Sequence, residues 1–488
     1  MSIHPSFNRQ DFWKKPLSIL MLIFIWNSCW SQQRFELTHI PEISNKRDIT
    51  LVAEKGFWTE HLVKVLLPKF TQHTSVNVKV VAMPLVDMYQ LQTQSLISGQ
   101  SNYDLLAIEA GWAKEWAANG YTVPLLELAK KYDDKGEQGM KDLLESYYPS
   151  LLQILAYQGQ YHSVPYNNYV MGQHYRLDLF ENAHEKKKFK DAYGYVLTAP
   201  KNLDQLFDVA QFFTRKKGEN LAGRKLEHDF YGLALMSGHR PHINDEFSAM
   251  LWGLGGKWFE PVYENSKKVK YFEVQANSPT ALKVAQTYLK LLPYSHPAHD
   301  QWAYLESANA LAQGHVAIWP FAYNNLWAIS AKFEKNIPYA QIGIAQVPLQ
   351  RPYNGAYATA VSFSSLNPEA AYWLLKYIGS YEGQMAYALG GGLPCRKDVV
   401  MADFFQDKKQ HRLSGAFQAS HQANLLWTDK VLDLGHFNST AMGKIYPELM
   451  NTTFQIRSGA LKPKQALDQL NSKILELQNR YGEAAAVK

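Results

Sequence analysis

Apolar residues recur along this chain with two different periods. Ile49-Thr50-Leu51-Val52-Ala53 is a short apolar run that predicts a strand, and Gly56 ends it. Across residues 58–70 the spacing becomes helical, with Leu62, Leu66 and Phe70 on one face. Val76, Val78 and Val80 then alternate with polar residues, which is the period of a strand. Residues 88–97 return to helical spacing, and Leu105-Leu106-Ala107-Ile108 predicts another strand. Strand alternating with helix predicts an α/β lobe with a mostly parallel sheet. Ligands of such sheets bind beyond the carboxyl ends of the strands. Those ends fall at residues 54–58 and 109–112.

Residues 204–292 read as mainly helical, interrupted by Gly and Pro. Asn277-Ser278-Pro279 supplies a cap and a first-turn proline for one helix. Near the end, a helix is expected over residues 463–481, with Leu467, Leu470, Ile474 and Leu477 along one side. The sequence carries no repeat and no low-complexity linker, which suits lobes joined by several crossings of the chain.

Length sharpens this picture. With 488 residues, of which 46% are hydrophobic, the chain can bury a large core and is expected to divide into lobes. The formal charge is +6, and no Lys/Arg run exceeds the length of Lys186-Lys187-Lys188. No concentrated basic stripe exists, so no nucleic-acid partner is expected. The first fifteen residues are polar and end in Lys14-Lys15; an apolar run from Pro16 to Trp26 follows, then Asn27-Ser28-Cys29. This is the layout of a signal peptide over residues 1–30, and the run is too short to span a bilayer, which takes roughly 20 apolar residues. An exported protein is expected. Cys29 is a candidate lipid acceptor, although Trp26 stands where such signals prefer Leu, so lipidation and plain cleavage both stay open. The other cysteine is Cys395, so loss or lipidation of Cys29 leaves no intramolecular disulfide.

Several segments, in order, resemble the family-1 extracellular solute-binding proteins, the relatives of maltose-binding protein. They are Tyr103-Asp104-Leu105-Leu106-Ala107-Ile108-Glu109 with Trp112 and Ala118-Asn119-Gly120-Tyr121; Tyr157-Gln158-Gly159-Gln160-Tyr161 running into Val164-Pro165-Tyr166; and Tyr175-Arg176 with Asp178-Leu179-Phe180. Further along come Ala312-Gln313-Gly314-His315-Val316-Ala317-Ile318-Trp319, Asn367-Pro368-Glu369-Ala370-Ala371 and Gly390-Gly391-Gly392-Leu393-Pro394-Cys395-Arg396. The resemblance implies a type II periplasmic-binding-protein-like fold, with two α/β lobes joined by a three-crossing hinge around a ligand cleft. By analogy the crossings fall near Tyr166, Trp319 and Tyr357. One lobe would hold residues 48–166 and 320–356, the other 167–319 and 357–488. It also implies a monomer that hands a small molecule to the permease subunits of an ABC importer, with no cofactor, on the extracytoplasmic or periplasmic side.

Glu54, Trp58, Glu109 and Trp112 stand at the strand ends and are the first candidate ligand contacts. A carboxylate there accepts hydroxyl protons, and an indole face stacks on the C–H face of a sugar ring. Tyr166 and Asn168 at the first crossing, Trp252 and Gly255 in a glycine-rich stretch, Trp319 and Tyr323, then Gly355 and Tyr357, and finally Arg396 complete the expected set. Tyr357 replaces the Trp that many sugar binders of this family carry. Aromatic residues make up 13% of the chain, which suits a carbohydrate site as well as an ordinary core. The histidine pairs His239/His242 and His296/His299 are each interrupted by proline and lack a third ligand nearby, so no metal site is expected. No Gly-x-Ser-x-Gly or His-Glu-x-x-His motif is present, and no catalytic residue is expected. The adjacent acids Asp133-Asp134 and Asp245-Glu246 read as exposed, solvated charge. A sugar or oligosaccharide is the expected ligand. A polyol, polyamine or sugar phosphate, and a secreted glycoside-processing enzyme, are the alternatives.

Overall fold

Two separate sheets organise the chain. In the computed structural model, residues 34–265, 268–330, 341–407, 411–426 and 438–484 are described; the expected signal segment and Cys29 lie outside them. Among the described residues the principal strands are β1 (Ile49–Glu54), β2 (Val78–Met83), β3 (Leu105–Glu109), β4 (Val164–Asn168), β5 (Met171–Arg176), β6 (Tyr231–Leu233), β7 (Val316–Tyr323), β8 (Ile342–Ala345) and β9 (Ala356–Val361). The first sheet runs β2-β1-β3-β9-β4 and the second β8-β5-β7-β6. In the first, β1 is parallel to β2 and β3, and β9 is antiparallel to β3 and β4.

The alternating pattern at the start of the chain becomes this parallel core. β1 is buried at five of its six positions, as expected of an apolar run covered by helices on both faces. The expected helix at 58–70 is present as a continuous helical stretch from Phe57 to Thr74 with a π-turn over Leu62–Leu66. Besides that stretch, which carries Trp58, the helices α1 (Leu85–Ile97), α2 (Ala110–Ala118), α3 (His242–Gly253), α4 (Tyr304–Ala312) and α5 (Met442–Ser458) bear on the cleft described below. The helix Pro463–Arg480 buries Leu467, Leu470, Ile474 and Leu477, the four residues its spacing singled out. Ser278 caps the helix Pro279–Leu291 by accepting from the Ala281 amide.

Two features differ from the sequence reading. Residues 204–292 are not all helix: Phe259–Asn265 and Lys268–Val274 pair as an antiparallel hairpin, where apolar and polar residues alternate with period two. The exchange between sheets also falls elsewhere than expected near Trp319. That residue lies inside β7, whose partners β5 and β6 both belong to the second sheet, and β8 stays there too. This eight-residue strand, buried at every position, lies wholly within the second sheet. The chain passes from the first sheet to the second between Asn168 and Met171, and returns between Ala345 and Ala356. The helix Pro368–Ile378 packs on β9 and β4 whereas the helix His411–Leu426 packs on β8 and β5, which puts the last exchange between them.

Candidate functional site

The parallel pairing of β1 with β3 brings their carboxyl ends to one edge, and both strands end in glutamate. That edge forms one wall of a cavity of about 210 Å³ lying between the two sheets. Glu54, Trp58, Glu109 and Trp112 line it, with Tyr89 from α1 and Tyr357, which pairs in register with Glu109. The opposite wall comes from α3 (His242 and Asp245), the start of α4 (Tyr304), the end of β7 (Tyr323) and α5 (Met442, Gly443 and Tyr446). Tyr169 and Tyr353, from the two segments that link the sheets, close the space between.

Each carboxylate is held by phenols. Glu54 receives the Tyr304 hydroxyl at 3.4 Å, a bond that spans the cleft. Glu109 accepts from Tyr169 and, as the N-cap of α2, from the Gly111 amide at 2.6 Å. Asp245 accepts from both Tyr323 and Tyr446. Burial nevertheless dominates. It pushes Glu54 from 4.5 to about 8 against the opposing hydrogen bonds from Tyr357 and Tyr304. Asp245 rises from 3.8 to about 8 for the same reason, and Glu109 is raised as well. His242 is pushed down to about 3, by burial and by the nearby Arg240 charge, so its ring is neutral.

The rings form a connected cage. Tyr169 meets Tyr357 at 5.4 Å, Tyr323 edge-on at 6.0 Å and Tyr353 in a stack at 6.3 Å. Trp112 lies against Tyr89 at 5.7 Å, and His242 stands edge-on to Tyr304 at 4.6 Å. A Cβ at Gly355 would sit 2.2 Å from the Tyr169 ring, so the glycine is what lets that ring lie flat against the linking strand.

Residues 58–385 match the family model described as bacterial extracellular solute-binding protein. This chain belongs to that family. A curated relative, an uncharacterized ABC transporter extracellular-binding protein of Pyrococcus horikoshii, is 25% identical over 337 residues; the match spans 66% of this chain and 66% of the relative. Among solved structures, a ribitol-bound ABC transporter solute-binding protein of Agrobacterium radiobacter K84 superposes with a TM-score of 0.70 at 19% identity, over 90% of this chain and 100% of that one. A tagatose-bound protein of Thermotoga lettingae gives 0.65 at 18%, over 89% and 100%, and a maltose-bound protein of T. maritima gives 0.63 at 18%, over 88% and 100%. These likenesses establish the fold, the type II arrangement of periplasmic binding proteins.

In this solute-binding protein the cavity gathers six of the residues expected from the sequence: Glu54, Trp58, Glu109, Trp112, Tyr323 and Tyr357. The others lie outside its lining. Trp319 is wholly buried in β7, edge-on to His174. Trp252 stacks behind the cavity on Tyr353, and Gly255 forms the turn after α3. Tyr166 packs edge-on against Tyr387, and the Asn168 side chain accepts from the Val170 amide. Arg396 forks onto Asp398 at 3.0 and 2.8 Å and reaches the Gly379 carbonyl at 3.3 Å; it faces a different cavity, shared with Arg34 and Asp133.

Asp245 was not among the expected residues, and it is not the solvated charge its acidic neighbour suggested. Both Asp245 and Glu246 are buried, because α3 is enclosed on all sides. Adjacent helical residues project about 100° apart. Asp245 therefore faces the cleft while Glu246 faces inward and accepts from the Met236 amide at 2.6 Å and Tyr288 at 3.0 Å. Asp133 likewise forms a buried ion pair with Lys376. Tyr89, Tyr169, Tyr304, Tyr353 and Tyr446 carried no local signal, since they come together at the cavity only in the tertiary fold.

Proposed function

We propose that this chain is the extracytoplasmic substrate-binding component of an ABC importer. It captures a small polyhydroxylated solute in the cleft and presents the closed, loaded form to permease subunits. The observation that carries the reading is the cavity itself, where carboxylate acceptors and flat aromatic faces meet between two sheets. That pairing suits rings or chains with hydroxyls on their edges and C–H groups on their faces. The structural neighbours include proteins bound to ribitol, tagatose, mannitol and maltose.

At about 210 Å³ the cavity lies below the ~300–1,000 Å³ usual for drug-sized ligands, which favours a monosaccharide or polyol over an oligosaccharide. No lysine or arginine lines the cavity among the described residues, which speaks against a sugar phosphate. Strand pairing suggests one lobe of residues 34–168 and 356–400 and another of 171–345 and 411–484, moving as a hinge about residues 169–170 and 346–355. The protein acts as a monomer without cofactor or catalysis. Export through residues 1–30, with Cys29 as the candidate anchor, belongs to the same proposal. Calorimetric titration against a panel of monosaccharides and polyols tests it. Micromolar or tighter binding of at least one member is expected, and silence across the panel would sink the reading.

A further inference from the structure

The cleft holds a charge imbalance. Glu54 and Glu109 enter it from one side and Asp245 from the other, and no lysine or arginine joins them among the described residues. The groups packed around them do not restore the balance. Glu54 faces Tyr304, Tyr357 and Tyr166; Glu109 faces Tyr169; Asp245 faces Tyr323, Tyr446, Tyr353 and the buried Glu246. The cations around the cleft are engaged elsewhere: Lys114 Nζ donates to the Ile154 and Gln153 carbonyls, Lys444 lies over the Tyr89 ring at 5.2 Å and acts on Glu115, and Arg240 donates to the His239 carbonyl.

A second observation points to a ligand with hydroxyls as well as charge. Trp112 Nε1 and His242 Nδ1 sit on cavity-lining side chains that are 8% exposed, and neither has a hydrogen-bond partner among the described residues. An indole N–H needs an acceptor, and a neutral imidazole offers one donor and one acceptor nitrogen. An ionised carboxylate buried without a counter-charge is strongly disfavoured, so burial of these three acids favours their protonated forms. A cationic nitrogen among them would replace those protons, and the surrounding ring faces would favour it further.

We propose that the ligand is a polyhydroxylated amine, an amino polyol or amino sugar, whose ammonium lies among Glu54, Glu109 and Asp245 while its hydroxyls meet Trp112 Nε1 and His242 Nδ1. The proposal rests on the solute-binding reading above and names the substrate class within it. Loading exchanges carboxyl protons for an ammonium, so protons leave the protein as the ligand enters.

The test is calorimetry on matched pairs, sorbitol against 1-amino-1-deoxysorbitol and glucose against 2-amino-2-deoxyglucose, at pH 6 and 7 in two buffers of different ionisation heat. The amino member of at least one pair is expected to bind tenfold or more tightly than its neutral partner. Its apparent enthalpy should vary with buffer as protons are released, and its affinity should rise with pH. Asp245→Asn should reduce the amine preference at least tenfold, and Glu54→Gln, on the other wall, carries the same expectation. Neutral members binding as tightly as their amines, without proton release, would overturn the inference and leave the solute-binding reading standing. Silence from all four compounds, repeated across the broader panel, would overturn both.

Discussion

Lys114 sits on α2, two residues after Trp112, and its side chain is buried. Its Nζ donates to the Ile154 carbonyl at 3.0 Å and the Gln153 carbonyl at 3.4 Å, and burial lowers its pKa from 10.5 to about 7. Between these values the unfolded chain binds more protons than the folded one, so stability rises with pH. From pH 7 to 9 the folded-state lysine goes from half protonated to almost fully neutral while the unfolded one stays charged. At about 1.36 kcal/mol per pH unit, this window is worth roughly 2 kcal/mol. Lys114→Met removes the proton linkage and keeps much of the side-chain volume. The variant is expected to be the more stable protein at pH 7, and its advantage should shrink by roughly 2 kcal/mol by pH 9. Urea unfolding of both proteins at pH 7, 8 and 9, followed by tryptophan fluorescence, measures the difference. A gap that stays constant over the three pH values would refute a buried, titrating Lys114.

Trp319→Ala should act on the fold and not on the ligand. Emptying that buried site costs roughly 3–5 kcal/mol, read as a lower melting temperature with ligand affinity per folded molecule preserved. Gly443→Val should do the reverse. A Cβ there would lie 2.3 Å from Glu115 Oε2 on α2 and 2.8 Å from the Tyr89 hydroxyl, so the two halves could no longer close fully. At least tenfold weaker binding, with unchanged melting of the ligand-free protein, is the expected calorimetric and thermal result. Arg396→Ala should leave the dissociation constant unaltered and lower stability by about 1–3 kcal/mol through loss of its bonds to Asp398 and the Gly379 carbonyl.

What the sequence disclosed is what local pattern can encode. The ends of two parallel strands can be read from apolar runs, and Glu54, Trp58, Glu109 and Trp112 all reach the cleft for that reason. The same logic failed at Trp319, because a fully buried strand and a cleft-facing one are written with the same apolar letters. Asp245 escaped because α3 has no solvent-facing side, so neither amphipathic spacing nor its acidic neighbour marks the helix as interior. Tyr446 stands about two hundred residues from the aspartate it binds, and only the tertiary fold joins them. Arg396 followed a suggestive glycine-rich loop, yet Asp398, two residues on, claims both arms of its guanidinium.

The three acids of the cleft are divided between its walls, and in the importer proposed above this division would bear on how wasted cycles are avoided. On the proposed hinge, parting of the halves would return each carboxyl to water, where it would lose its proton at neutral pH. To shut again without cargo, the protein must recapture those protons or press like charges together, and either makes the vacant closed form scarce. A transporter that responds to closed receptors is thereby shielded from false signals. The same side chains then work as an occupancy check, strict in alkaline surroundings and lenient in acid ones.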